Sequence, residues 1–130
     1  MIGIIGAMDE EVNAIIEKMT NVESKEKAGM TFNKGTLEGK EAVVVRSGIG
    51  KVNAGLCTQI LVDDYKIDAV INTGIAGSLK NQIDIGDIVL SSDALYHDMD
   101  ATGFGYDFGE FEKKAIIHSV NLIMEFVKNM

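Results

Sequence analysis

The sequence predicts an α/β protein whose central sheet is mixed but mostly parallel and is flanked by helices. Three observations predict it. Ile2–Ala7 and Ala69–Asn72 are short, largely apolar runs, the pattern of strands buried on both faces. Each run closes on a glycine-bearing turn, Gly6-Ala7-Met8-Asp9 and Thr73-Gly74-Ile75-Ala76-Gly77. Between them the apolar spacing changes to a helical one, and strands alternating with helices build parallel sheets with ligand sites beyond the strand C-termini.

The elements follow in order. Ile2–Ala7 is the first strand, broken only by Gly3 and Gly6. Asp9 reads as the N-cap of a helix whose Val12, Ile15, Ile16 and Met19 fall at i, i+3, i+4 and i+7. Each of these, if buried, contributes roughly 1.5–3 kcal/mol by transfer from water. Lys27–Lys34 and Lys40–Arg46 read as two strands joined by a turn around Glu38-Gly39. A second helix is expected over Val52–Tyr65 with Leu56, Ile60 and Leu61 inward, then the strand Ala69–Asn72 and another over Ile83–Ser91. Phe111, Ala115, Ile116, Val120, Ile123, Phe126, Val127 and Met130 keep helical spacing, so Glu110–Lys128 reads as one amphipathic helix. No repeat or linker divides residues 1–130, which read as a single domain. Proline is absent, so turns rely on the 14 glycines with Asn and Asp.

Composition narrows the function classes. Twenty acidic against twelve basic residues give a net charge of −8, which repels phosphate backbones and anionic lipid. Neither nucleic acid nor membrane is expected as a partner. The apolar run Ile2–Met8 is short and is followed by Asp9, Glu10 and Glu11, unlike a signal peptide, and no later run spans a bilayer; a cytoplasmic location is expected. The single cysteine, Cys57, excludes an internal disulfide and reads as a buried structural thiol.

Two nucleotide fingerprints fail. The dinucleotide pattern G-x-G-x-x-G on Gly48 and Gly50 needs a third glycine where Asn53 stands. A Walker A loop ending at Gly50-Lys51 needs glycine and a hydroxyl residue where Val45 and Val52 stand. His97-Asp98-Met99-Asp100 offers nitrogen and oxygen ligands, but neighbours on an extended chain point to opposite sides and no paired-ligand spacing is present. No cofactor and no metal is expected.

Three glycine turns remain: the two named above and Ser47-Gly48-Ile49-Gly50-Lys51. Each either is a tight strand exit or lets backbone N–H groups approach a ligand. The acids Asp9-Glu10-Glu11 either complement a helix dipole or, at Glu11, provide a carboxylate that orients and deprotonates a water. Spacing alone does not choose.

Taken together, the motifs are more specific than any one turn. Ile2-Gly3-Ile4-Ile5-Gly6-Ala7-Met8-Asp9-Glu10-Glu11-Val12, Ser47 to Ala54, Asn72-Thr73-Gly74, Gly86-Asp87-Ile88-Val89, and Tyr96-His97-Asp98 with Ala101 to Tyr106 stand in one order over residues 1–109. In that order they resemble the N-terminal half of the 5′-methylthioadenosine/S-adenosylhomocysteine nucleosidases. The resemblance implies a nucleoside-phosphorylase-like fold, here truncated, and a cofactor-free hydrolase that releases adenine from a small-molecule nucleoside. It implies that Glu11 activates water, and that Ala7, Met8 and Ile49 lie against the ribose and thioalkyl side. It places Ile75 near base and ribose, where the family often has a small polar residue. Phe104 and Tyr106 match residues that cap the pocket of a neighbouring subunit, so a homodimer or larger homo-oligomer is implied.

The same resemblance exposes a gap. The family's second half carries a Met-Glu pair for the ribose hydroxyls and a Ser-Asp pair that protonates the purine; Ser92-Asp93 belongs to an earlier strand and is not that pair. Residues 110–130 look like the family's last helix joined directly to residue 109, as if by internal deletion. A catalytically dead fold that binds nucleoside or only assembles with itself is therefore the alternative expectation. A phosphorylase is a weaker one, since Arg46 is the only arginine.

Overall fold

The computed structural model describes residues 1–77, 82, 84–88 and 96–109. The helix expected over Glu110–Lys128, the Ser92-Asp93 pair and most of the strand expected over Ile83–Ser91 lie outside these residues. By its contacts the chain divides into Met1–Gly77 and Ser78–Met130.

The first unit runs β1 (Ile2–Gly6), α1 (Asp9–Ile16), β2 (Thr20–Lys27), β3 (Met30–Leu37), β4 (Lys40–Arg46), α2 (Lys51–Tyr65) and β5 (Ala69–Thr73). Its sheet has the order β2-β3-β4-β1-β5. Strand β1 lies between β4 and β5 and is parallel to both, pairing with β4 from Ile2↔Ala42 to Gly6↔Arg46 and with β5 from Ile2↔Ala69 to Gly6↔Thr73. The β2–β3 and β3–β4 pairs are antiparallel, so among the described strands the sheet is mixed in equal parts, not mostly parallel.

The β2–β4 meander follows from its turns. Ala28-Gly29 and Glu38-Gly39 both have two successive positive φ angles (51° and 74°; 47° and 77°), as two-residue turns matching strand twist require. The first of these corrects the sequence expectation: Lys27 ends one strand and Ala28-Gly29 turns the chain, so Lys27–Lys34 is not one strand. Strand β2, Thr-Asn-Val-Glu-Ser-Lys-Glu-Lys, is exposed along its whole length at the sheet edge and has no apolar alternation to announce it.

Alternation along the inner strands sends side chains to two cores. Ile5, Val43 and Val45, with Met30 and Phe32, pack against Cys57, Ile60 and Leu61 of α2. Ile4, Ala42 and Val44 pack against Val12 of α1 and Met19. Two helix expectations shift. Helix α1 ends at Ile16, and Met19 reaches the core through the following turn, where its N–H bonds the Ile16 carbonyl at 3.0 Å. In α2 the inward stripe runs through Cys57, Ile60 and Leu61, while Leu56 is 46% exposed.

In the second unit the described residues are mainly turns. Residues 84–88, expected within a strand, make a tight turn in which the Asp87 N–H bonds the Asp84 carbonyl at 3.2 Å. Residues 96–109 form a closed loop: Tyr96 N–H bonds the Gly109 carbonyl, and Gly109 N–H bonds the Met99 carbonyl. Within it Thr102–Phe104 is a single 3₁₀ turn. The Asp100 carboxylate accepts from the Thr102 hydroxyl at 2.6 Å and its N–H at 3.0 Å, which holds that carboxyl below its usual range.

Candidate active site

Strand β1 delivers the chain to the C-terminal edge of the sheet, where Met8, extended at φ −126° and ψ 162°, caps α1. The N-cap is therefore Met8, one residue before the expected Asp9. That register makes Glu11 the third helical residue, and its side chain folds back over the cap. Its Oε2 accepts from the Ala7 N–H at 2.7 Å and the Met8 N–H at 3.0 Å. This is the reaching-back half of a capping box, and it satisfies N–H groups that helix geometry leaves without partners.

The other carboxylate oxygen, Oε1, faces the end of β5. Gly6 and Thr73 pair in register, so Gly74 follows directly beside the β1 exit. A Cβ at residue 74 would lie 2.7 Å from Oε1, and one at residue 6 would lie 2.9 Å from the Glu11 Cβ. Two glycines on neighbouring strands thus make the slot that the Glu11 side chain occupies. One oxygen is tied to the backbone, and the other is turned towards Gly74.

The third glycine turn completes the site. Past Arg46, the Ser47 N–H extends the ladder to the Gly6 carbonyl at 2.9 Å. The buried Ser47 hydroxyl lies 2.9 Å from the Gly48 carbonyl oxygen. Gly48 and Gly50 have φ of 82° and 106°, values that disfavour a side chain. Asn53, in the first turn of α2, donates from Nδ2 to the Ile49 carbonyl at 2.8 Å and clamps the loop.

Between the β1 exit and the Ser47–Lys51 turn lies an open cleft of about 340 Å³ lined by Ala7, Met8, Asp9, Glu10, Arg46, Gly48 and Ile49. Its wall is apolar at Ala7, Met8 and Ile49. Its rim is charged: Arg46 Nη1 lies 3.0 Å from Asp9 Oδ2.

The sequence-derived candidates fall into two groups. Glu11, Ala7, Met8 and Ile49 come together, the first three by direct hydrogen bonds and Ile49 across the cleft. Ile75 follows Gly74 and is 87% exposed. Phe104, at the 3₁₀ turn, and Tyr106 belong to the second unit and are both exposed there. Cys57 is buried, and burial pushes its thiol up to about 11, so it offers no nucleophile at neutral pH. Among the described residues no three His, Cys, Asp or Glu side chains gather as metal ligands. His97 and Asp98 are 3.7 Å apart. Among the described residues no helix is long and apolar enough to cross a membrane.

Sequence reasoning passed over the roles of Gly74, Asn53 and the Arg46–Asp9 pair. Gly74 and Arg46 gain theirs from strand register, which places them beside the residues around Glu11. The signal for Asn53 was local, an amide three residues after a glycine N-cap.

The sequence pattern of the phosphorylase superfamily matches residues 1–127. A 5′-methylthioadenosine/S-adenosylhomocysteine nucleosidase of Colwellia psychrerythraea is 52% identical over 108 residues, which are 83% of this chain and 44% of that protein. The crystal structure of a Colwellia psychrerythraea nucleosidase with adenine superimposes with a TM-score of 0.81 at 51% identity, covering 85% of this chain and 46% of that one. The Neisseria meningitidis nucleosidase bound to methylthio-immucillin-A superimposes with a TM-score of 0.89 at 36% identity, covering 98% and 56%. The chain therefore spans about half the length of the curated relatives it matches.

Proposed function

Because this chain belongs to the phosphorylase superfamily, we propose that it carries the water-activating half of an N-ribosyl hydrolase. The reaction is release of adenine from 5′-methylthioadenosine and S-adenosylhomocysteine, the substrates in the names of its relatives. One observation carries the reading: the Glu11 carboxylate, held through Oε2 by the Ala7 and Met8 N–H groups, presents Oε1 at the end of β5.

The chemistry follows from that division. Cleaving the C–N ribosyl bond builds oxocarbenium character at the anomeric carbon, and the bonding pair leaves with the purine. Oε1 takes a proton from the attacking water while the anchored Oε2 keeps the carboxylate still. Ala7, Met8 and Ile49 give the thioalkyl and ribose side an apolar wall, with Ile75 beyond Gly74 towards the base. Ile75 brings no side-chain hydrogen bond to that position.

The purine also needs a proton, and no residue of this sequence matches the family's acid. By itself the 130-residue chain is expected to bind nucleoside and to turn it over at or near background. General acid catalysis contributes about 10²–10⁴-fold, so its loss alone has this effect. By resemblance, residues 110–130 are proposed to be the family's last segment, following an internal deletion. Exposed apolar residues, Ile49 just before α2 and Val52 and Leu56 within it (74%, 84% and 46% exposed), support a homodimer with Phe104 and Tyr106 facing the partner. A methionine-salvage role in the cytoplasm fits the same substrates.

Adenine release from methylthioadenosine, with a full-length relative as positive control and ligand-observed NMR for binding, tests the reading. Binding without turnover is the expected result. Turnover comparable to the control would overturn the inactivity of the short chain, and absence of nucleoside binding would overturn the site.

A further inference from the structure

The cleft carries a charge arrangement that cutting the glycosidic bond does not use. Beyond the apolar wall of Ala7, Met8 and Ile49, its rim consists of Arg46, Asp9 and Glu10. Arg46 pairs in register with Gly6, which directly precedes Ala7 and Met8, whose N–H groups hold Glu11. Its Nη1 touches Asp9 Oδ2 at 3.0 Å, and both side chains are more than half exposed, at 54% and 58%.

We propose that Arg46, with Asp9 and Glu10, is a subsite for the zwitterionic α-amino-acid tail of a 5′-thioether nucleoside. The guanidinium meets the tail's carboxylate, and the two acids meet its ammonium. The proposal rests on the nucleosidase reading and assigns the homocysteine end of S-adenosylhomocysteine to a defined place.

Three physical points carry it. The guanidinium is a planar fork that fits a carboxylate with two parallel hydrogen bonds. An exposed ion pair holds itself together only weakly, so a zwitterion exchanges one pair for two, with the ammonium shared between Asp9 and Glu10. Sign also decides against the competing ligand. A bare phosphate would meet Asp9 and Glu10 beside Arg46, on a chain of net charge −8. The tail must begin near Met8 and Ile49, and the charged rim adjoins them in the same cleft. Methylthioadenosine ends at a methyl group and uses the apolar wall alone.

The test is NMR titration of the whole chain with methylthioadenosine, S-adenosylhomocysteine and inorganic phosphate. Wild type, Arg46→Gln, Arg46→Lys and Asp9→Asn are compared, with amide spectra as the folding control. Arg46→Gln should lower the ratio of S-adenosylhomocysteine to methylthioadenosine affinity by about three- to tenfold, the range for a solvent-screened charge-assisted pair. Arg46→Lys, which keeps the charge but not the fork, should fall between, and Asp9→Asn should lower the ratio less because Glu10 remains. An unchanged ratio in Arg46→Gln overturns the subsite while leaving the nucleosidase reading intact. Phosphate that displaces S-adenosylhomocysteine at millimolar concentration overturns it in favour of an anion site. Failure of both nucleosides to bind overturns subsite and reading together.

Discussion

Oε1 of Glu11 lies 2.7 Å from the point where a Cβ on Gly74 would stand, closer than any non-bonded carbon and oxygen tolerate. The first turn of α1 and the residue just past β5 therefore act on each other through a missing methyl group. Gly74→Ala should push the carboxylate off the Ala7 and Met8 N–H groups and cost about 1–3 kcal/mol by overpacking. Faster hydrogen exchange at these two amides, measured by NMR, checks it; exchange equal to wild type would show that the slot has room to spare.

Substitution can separate the capping hydrogen bonds of Glu11 from the water activation proposed for it. Glu11→Gln keeps an oxygen for the Ala7 and Met8 N–H groups but cannot take a proton from water. It should unfold near the wild-type midpoint and abolish whatever adenine release is detectable. Glu11→Ala leaves both N–H groups without their partner and should lose about 1–3 kcal/mol in urea titration. Equal stability of Ala and Gln variants would show that the cap contributes nothing.

Asn53 holds the Ile49 carbonyl, and its amide stands 3.1 Å from a Cβ built at Gly48. Asn53→Ala should cost about 0.5–1.5 kcal/mol, the net contribution of one hydrogen bond. It should also loosen residues 48–50 without disturbing the sheet. Backbone relaxation confined to this loop is the expected signature.

Cys57 predicts a pH dependence. Burial raises its thiol to about 11 in the folded chain, while the unfolded chain ionises near the ordinary value of 9.0. Between the two the unfolded state has lost the proton that the native state keeps. This contribution to stability is full below the ordinary value and is lost as pH rises towards 11. Cys57→Ala should flatten that part of the stability profile. Native protein should react with iodoacetamide at pH 8 far more slowly than protein in denaturant.

The parts of the fold legible in the sequence are those in which burial imposes a period. Strands β1, β4 and β5 and both helices follow from Ile2–Gly6, Ala42–Val45, Val12 and Ile60-Leu61. Strand β2 was not legible, because both its faces meet solvent and Val22 is its one apolar residue. The inward face of α2 was misread at Leu56, since Leu56 and Cys57 are both apolar and only the sheet's position chooses between them. The clustering of Glu11 with Ala7 and Met8 was readable as adjacent residues at a strand exit. The place of Gly74 was not, since it depends on which strand lies beside β1.

Strand order has a consequence in time. Strand β1 precedes the other four strands in the sequence, yet Ile2 finds its partners only at Ala42 and Ala69. The β2–β4 meander, built on local two-residue turns, closes short loops and is expected to form early. The parallel pairings of β1 close long loops and are expected late. Until then Ile2–Gly6 is an unpaired apolar segment, and the slot around Glu11 cannot exist. Mutations in the meander should slow refolding, whereas Ile4→Val or Ile71→Val should chiefly speed unfolding. A stopped-flow chevron with the opposite assignment would reverse this order. The Glu11 carboxylate thus precedes most of its partners in the sequence and is among the last groups to acquire its surroundings.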